Sequence, residues 1–357
     1  MKRLFVKGNE AVAIGSIAAG CQYYFGYPIT PQSDIPEYLA RELPKAGGVF
    51  IQAESEIASI NMLLGASAAG ARAMTSSSSP GISLKQEGIS YMAGSELPGL
   101  IVNICRSGPG LGGIDASQAD YVQAVKGGGH GGYHLIVLAP NSVQEMYDLT
   151  LLAFDLSDRY RIPALLLADA VIGQVKEALV PHPYVAPADL PAKNWAVAGK
   201  QGRSDQRIVK SLRLGDGELE AHNLALHQRY AELKKNEVRF ESFQVEDAEL
   251  VVTAFGSAAR IARSAVSMAR DAGLKVGLLR PITLYPFPTA AFQAVAGQAA
   301  KILCVELNTG QMVEDVRLAV NGKIEVAFYG RAPGAGSLPT PEELFQQISQ
   351  HCGQIHG

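Results

Sequence analysis

The chain has 357 residues, 47% of them hydrophobic and only 18% charged, with a net charge of −3. That length allows two α/β domains, each with its own core, and the charged fraction lies below the ~25% usual for soluble domains, so part of the surface is expected to lie under other subunits. The charge balance and the lack of a basic patch argue against nucleic acid as a partner.

From the N-terminus, MKRLFVKGNEAVAIG carries early positive charge, but Lys7, Asn9 and Glu10 break its apolar stretch where a signal peptide would stay apolar. No apolar run reaches the ~20 residues that span a bilayer. A cytoplasmic protein without a membrane partner is expected. The stretch EAVAIGSIAAGCQYYF (10–25) reads as a helix. GYPITP (26–31) follows, where Pro28 and Pro31 lock their own φ and push Tyr27 and Thr30 toward extended backbone. The Thr30 hydroxyl is thereby held still.

VFIQ (49–52) reads as a strand and EIASINMLLGASAAG (56–70) as a helix, and ARAMT (71–75), LIVNI (100–104), LIVLA (135–139) and ALLLA (164–168) as further strands. Continuous apolar strands separated by helices imply a parallel sheet buried on both faces. The expected fold class is therefore α/β, a doubly wound, mostly parallel sheet. Prolines cluster at 181–191, and the polar GELEAHNLALHQRYAELKKNEVRFE carries a helical stripe; this reads as an interdomain connection with one helix, able to wrap a neighbour. AELVVTAFGSAARIARSAVSMARDAGLKVGLLRP then restores strand, helix and strand, and KILCVEL adds another strand. The expected division is 1–180, a linker with a helix over 181–247, and a smaller α/β domain over 248–357.

Three loops at strand ends carry candidate chemistry, because ligands of open α/β sheets bind at the carboxyl ends of strands. They are GYPITP, ESEIAS with Glu54 and Glu56, and CRSGPGLGG (105–113) with Arg106 ahead of glycines that let backbone approach a ligand. Each has a plain structural alternative: turn geometry, a dipole partner worth ~0.3–1 kcal/mol at a helix start, and a surface ion pair. Their convergence on one sheet edge favours function. SSSSPG (76–81) reads as a flexible turn, GDG (215–217) as a turn without the strand a metal–diphosphate motif needs, and KGGGHGGYH (126–134) as a flexible loop without a third metal ligand for His130 and His134. Cys21, Cys105, Cys304 and Cys352 stand singly, which fits a reducing compartment and offers no iron–sulfur or zinc spacing. No metal-ligand residue is assigned, and any cluster is expected on another chain.

GYPITPQSDIPEYLA, FIQAESEIASINMLLGASAAGARAMTSSSSPGISL, GPGLGG, the stretch from SQADYVQAVKGGGHGG to DAVIGQ, LRPITLYPFP and VELNTGQMVEDVR together resemble the alpha subunit of the 2-oxoacid:ferredoxin oxidoreductases. The likeness runs through nearly the whole chain, is weakest over 185–247, and through GPGLGG is nearest the 2-oxoisovalerate, branched-chain type. It implies a pyrimidine-type thiamine diphosphate domain followed by a transketolase C-terminal-like domain. It implies CoA-dependent oxidative decarboxylation of a 2-oxoacid to an acyl-CoA, with ferredoxin as acceptor. Thiamine diphosphate would be shared with a beta subunit that holds the diphosphate, Mg2+ and an iron–sulfur cluster; a gamma subunit and a ferredoxin-like subunit would complete the complex.

On that resemblance Glu56 would hydrogen-bond pyrimidine N1′ of the cofactor, Tyr27 and Ile29 would border the cofactor, and Thr30, with Pro28 beside it at the substrate, would act catalytically by hydrogen-bonding the substrate or the cofactor intermediate. Arg106 would grip the 2-oxoacid carboxylate with its planar fork. Glu56 is favoured over Glu54 because an activating Glu stands nine residues before a helix glycine in such enzymes, here Gly65. Ser107 stands where relatives generally have Gly, next to the substrate arginine. RPITLYPFP and ELNTGQ are expected to serve inter-subunit packing or to be plain structural loops. Aromatic 2-oxoacids such as phenylglyoxylate, or 2-oxoglutarate, remain alternatives, as do a non-redox thiamine decarboxylase and a non-catalytic scaffold subunit.

Overall fold

In the computed structural model, which describes residues 3–356, the first sheet has seven strands. From edge to edge they are Thr283–Tyr285, Ile136–Leu138, Ala164–Asp169, Leu100–Cys105, Ala73–Ser77, Tyr23–Gly26 and Val49–Gln52. All neighbours pair parallel except the first, which is antiparallel to Ile136–Leu138. Leu100–Cys105 and Ala164–Asp169 are buried at every residue, as a parallel strand covered on both faces must be. Helix Gly8–Ala18 packs on Val143–Tyr160, and Glu56–Ala68 on Ser79–Gly94.

One expectation fails at 19–25. The first helix stops at Ala18, and Tyr23–Gly26 is a strand lying between Ala73–Ser77 and Val49–Gln52. Gly20 at φ 77° ends the helix, with Gly20 N–H donating to Ile17 O and Cys21 N–H to Ser16 O, the pair of bonds that closes a helix on a left-handed glycine. Beyond it Tyr23, Tyr24 and Phe25 are aromatic residues that suit a pleated surface.

The second sheet runs Glu325–Gly330, Lys301–Glu306, Leu250–Thr253, Val276–Pro281 and Phe240–Phe243, parallel except for the last strand. Helices Gly256–Asp271 and Pro341–His356 pack together against it. Phe240–Phe243 comes from the segment read as linker, and Val276–Pro281 runs on directly into Thr283–Tyr285 of the first sheet. The stretch between Leu179 and helix Glu218–Asn236 is irregular and lies on its own chain. Val197 N–H donates to Ala68 O at 2.8 Å, Lys193 pairs with Asp158 at 2.8 Å, and Tyr184 meets Arg72 and Asp155.

The two sheets are tied by polar contacts as well as by packing. Arg280, buried, makes a bidentate pair with Glu145 at 2.7 and 2.8 Å. Gln118 donates to Phe255 O at 2.8 Å and accepts from Leu307 N–H at 3.0 Å. Glu306, fully buried, accepts from Met312 and Val313 N–H and from Asn308. ELNTGQ and RPITLYPFP thus join the two sheets within this chain.

Candidate active site

Four neighbouring parallel strands, Val49–Gln52, Tyr23–Gly26, Ala73–Ser77 and Leu100–Cys105, point the same way. Their following loops therefore rise from one edge, and GYPITP, ESEIAS, SSSSPG and CRSGPGLGG come together there.

GYPITP is pinned from beneath. Asn9 Nδ2 and Gln174 Nε2 both donate to Pro31 O at 2.8 Å, and both also reach the Asp34 carboxylate, at 2.9 and 2.8 Å, beside Lys7 Nζ at 2.8 Å. Burial pushes the Asp34 carboxyl up, but the bonds from Lys7, Asn9 and Gln174 outweigh it and hold the group below its ordinary value. With its far end fixed, the loop leaves Tyr27, Pro28 and Thr30 exposed and Ile29 half-buried.

Glu56 is the first residue of helix Glu56–Ala68, whose N-cap is Ser55, its Oγ accepting from Ala58 N–H at 3.1 Å. An acid at that place is favoured by the free amides of the first turn. Glu56 is 7% exposed, whereas Glu54 is exposed. The wall facing it is Gly81: a Cβ there would stand 2.7 Å from Glu56 Oε1 and collide with Ser77 Oγ. Behind it lies Lys85, wholly buried, donating to Glu56 O at 3.3 Å, Thr75 Oγ1 at 3.1 Å and Ser59 Oγ. Burial brings the Lys85 ammonium down to about 7, with the Glu56 charge acting the other way.

Arg106 is 7% exposed. Its Nη1 donates to Thr30 O at 2.9 Å and its Nη2 to Leu111 O at 3.0 Å, so it ties GYPITP to its own loop, while its buried Nε finds no partner. The loop base is held by Asp120 Oδ2, which accepts from Ser79 Oγ at 2.6 Å, Asn103 Nδ2 at 2.8 Å and Cys105 Sγ at 3.1 Å. Burial, reinforced by Asp120, keeps Cys105 a thiol by pushing its pKa well up. Ser107 accepts from Gly334 N–H at 2.9 Å, so the serine anchors the loop to the second domain.

The structure thus brings Thr30, Glu56 and Arg106 to one edge and sets Glu54 apart. SSSSPG is corrected: Ser76 and Ser77 end a buried strand, Ser78 is the N-cap, and Ser79 begins helix Ser79–Gly94. KGGGHGGYH is anchored at points, with Gly128 N–H donating to Gln86 Oε1 at 3.2 Å and His134 stacked on Tyr285 at 4.2 Å, while Lys126, Gly128, His130, Gly131 and Gly132 stay exposed. Sequence reasoning missed Lys85, Gly81 and Asp120. Lys85 had a signal, since it stands between Ile82 and Ile89 on a helical stripe whose other members are buried.

A thiamine ring system needs an acid beneath the pyrimidine, close-set backbone and free polar atoms at a strand end. Buried Ser77 Oγ and Ser78 Oγ without partners, bare Gly81 and Glu56 fit that demand. The fold and this edge define the class: a pyrimidine-type thiamine diphosphate domain joined to a second α/β domain. Residues 14–232 match the family described as pyruvate flavodoxin/ferredoxin oxidoreductase, thiamine diphosphate-binding, and residues 248–344 match pyruvate:ferredoxin oxidoreductase core domain II.

The chain belongs to the 2-oxoacid:ferredoxin oxidoreductases, as an alpha subunit. It is 51% identical to ketoisovalerate oxidoreductase subunit VorB of Methanothermobacter marburgensis, covering 99% of each chain, and 39% identical to 2-oxoglutarate synthase subunit KorA of Archaeoglobus fulgidus, covering 98% of this chain and 99% of that one. The solved 2-oxoglutarate:ferredoxin oxidoreductase of Magnetococcus marinus, with 2-oxoglutarate, coenzyme A and succinyl-CoA bound, superposes with a TM-score of 0.86 at 28% identity, over 98% of this chain and 65% of that longer one. A split-gene transketolase, an inactive beta4 tetramer, shares the fold at a TM-score of 0.62 and 12% identity over 98% of each chain.

Proposed function

We propose that the chain serves a cytoplasmic, multisubunit oxidoreductase that converts a branched-chain 2-oxoacid and CoA to an acyl-CoA and CO2 and passes two electrons to ferredoxin. The observation that carries the reading is the meeting of buried Glu56, the Arg106 guanidinium and the braced Thr30 loop on one sheet edge. The branched-chain preference is supported by the likeness to ketoisovalerate oxidoreductase subunits. A beta subunit holding Mg2+, the diphosphate and an iron–sulfur cluster, a gamma subunit and a ferredoxin-like subunit would complete the complex, on a chain divided at about 180 and 248.

Thiamine diphosphate, when bound, supplies the electron-sink chemistry at its C2 carbon. Glu56 would hold a proton between its carboxylate and pyrimidine N1′, in a site where Gly81 admits the ring and burial excludes water. Tyr27 and Ile29 would border the ring. Arg106 offers its unpaired buried Nε–H and the second hydrogens of its amino groups to the substrate carboxylate, while its bonds to Thr30 O and Leu111 O hold that donor edge still. Thr30 presents its hydroxyl from a loop that cannot retreat.

Turnover of the purified complex over a panel of 2-oxoacids should be highest for 2-oxoisovalerate; absence of CoA-dependent turnover with every 2-oxoacid would refute the reading. Glu56→Gln should leave the complex assembled and slow C2 hydrogen–deuterium exchange of bound cofactor by about 10²-fold or more. Glu54→Gln should do far less. If Glu54→Gln is the variant that stops exchange, the roles are reversed.

A further inference from the structure

Lys85 has no place in the roles above, yet its position is unusual. A lysine on a buried helical stripe must lose its hydration, and an apolar residue of the same shape would avoid that cost. Its three N–H donors are matched by three acceptors, Glu56 O, Ser59 Oγ and Thr75 Oγ1, which is the full capacity of an ammonium. All three are neutral. Among the described residues, the Glu56 carboxylate is the one charged group that acts on Lys85; helix Glu56–Ala68 otherwise faces it with Ser59, and strand Ala73–Ser77 with Thr75.

We propose that Lys85 is a positioning residue for the thiamine chemistry. It grips the first turn of the helix from behind and, as counter-charge to the Glu56 carboxylate, biases the proton shared by Glu56 and pyrimidine N1′ toward the nitrogen. This rests on the reading of Glu56 given above. The effect needs no contact between ammonium and cofactor: positive charge behind a carboxylate favours its ionised form, and opposes the protonated nitrogen only weakly because that atom lies farther away. Neutral at one pH and charged at another within the ordinary working range, the lysine would also make the site sensitive to pH.

The test compares wild type, Lys85→Met, Thr75→Val and Glu56→Gln in the assembled complex. Calorimetry of thiamine diphosphate binding in buffers of different ionisation enthalpy counts the protons taken up per cofactor, and C2 exchange is followed against pH. Wild type should take up more protons near neutral pH than Lys85→Met. The acid limb of the exchange profile in Lys85→Met should move upward by about one pH unit or more, the scale of removing a nearby opposite charge. Thr75→Val keeps shape, removes one acceptor, and should move the limb the same way by less; it carries the test should Lys85→Met fail to assemble. An unchanged proton count and acid limb, with only thermal stability lowered, would overturn the proposal and leave Lys85 a structural residue. Normal exchange in Glu56→Gln would instead strike at the assignment of Glu56 itself.

Discussion

Arg106 is a substrate-gripping candidate and also the link between two loops, because both of its amino groups already donate to backbone carbonyls. Arg106→Lys should therefore cost twice: a point ammonium reproduces neither the fork on a carboxylate nor two simultaneous loop contacts. We expect a loss of about 1.5–3 kcal/mol in kcat/KM, the scale of hydrogen bonds to charged groups, falling mainly on KM, with cofactor affinity little changed. Steady-state kinetics with 2-oxoisovalerate check this; an unaltered KM would place the carboxylate elsewhere. Gly81 gives a second residue-level expectation. A methyl group there meets Ser77 Oγ and the Glu56 carboxylate, both side-chain atoms able to shift, so Gly81→Ala should fold and yet slow C2 exchange by displacing the acid. Exchange at the wild-type rate would show that the wall has room.

At the level of elements, the braced loop is a charge cluster with a definite pH signature. Asp34 is held below its ordinary value in the native state, so the unfolded chain binds its proton more readily than the native one. Its contribution is therefore complete above the unfolded value of about 4 and is lost as pH falls through the lower native value. Asp34→Asn removes the ion pair with Lys7 and one acceptor for Asn9 or Gln174, and should lower stability at pH 7 by about 1 kcal/mol. The melting temperatures of wild type and variant should converge as pH is lowered below about 4. A constant difference across that range would assign the effect to packing.

For the whole molecule, the two sheets share one set of polar ties as well as a continuous chain crossing at Ile282. Gln118 is the most exacting of these ties, with donor and acceptor both satisfied across the junction and its own O accepting from Asn308 Nδ2 at 2.9 Å. Gln118→Leu would leave Leu307 N–H buried without a partner, at about 1–3 kcal/mol, and would take from Phe255 O one of its two donors, leaving it the bond from Ala259 N–H. Chemical denaturation of the full chain should show that loss. It should also separate the unfolding of the two sheets if this junction is what couples them; an unchanged midpoint would show that water replaces the amide.

The amino-acid sequence alone determined the alternation of strand and helix, because continuous apolar runs bounded by turn residues admit few structures besides a sheet buried on both faces. It also marked three of the four loops at the active edge, since prolines, an acid after a strand and an arginine before glycines are local signals. What it could not determine was partnership. Tyr23–Gly26 looked like the end of a helix because aromatic residues suit either element; Gly20 and the two neighbouring strands decided the matter. Lys85 went unmarked because a lysine's burial depends on what is packed over it, here Ser59, Thr75 and the start of the Glu56 helix. Likewise Thr283–Tyr285 left its own domain to edge the first sheet, and Gln118 found its partners 137 and 189 residues away. Such contacts come into being only when the chain folds back on itself, since spacing along a sequence carries no record of which distant backbone groups will be left needing a partner.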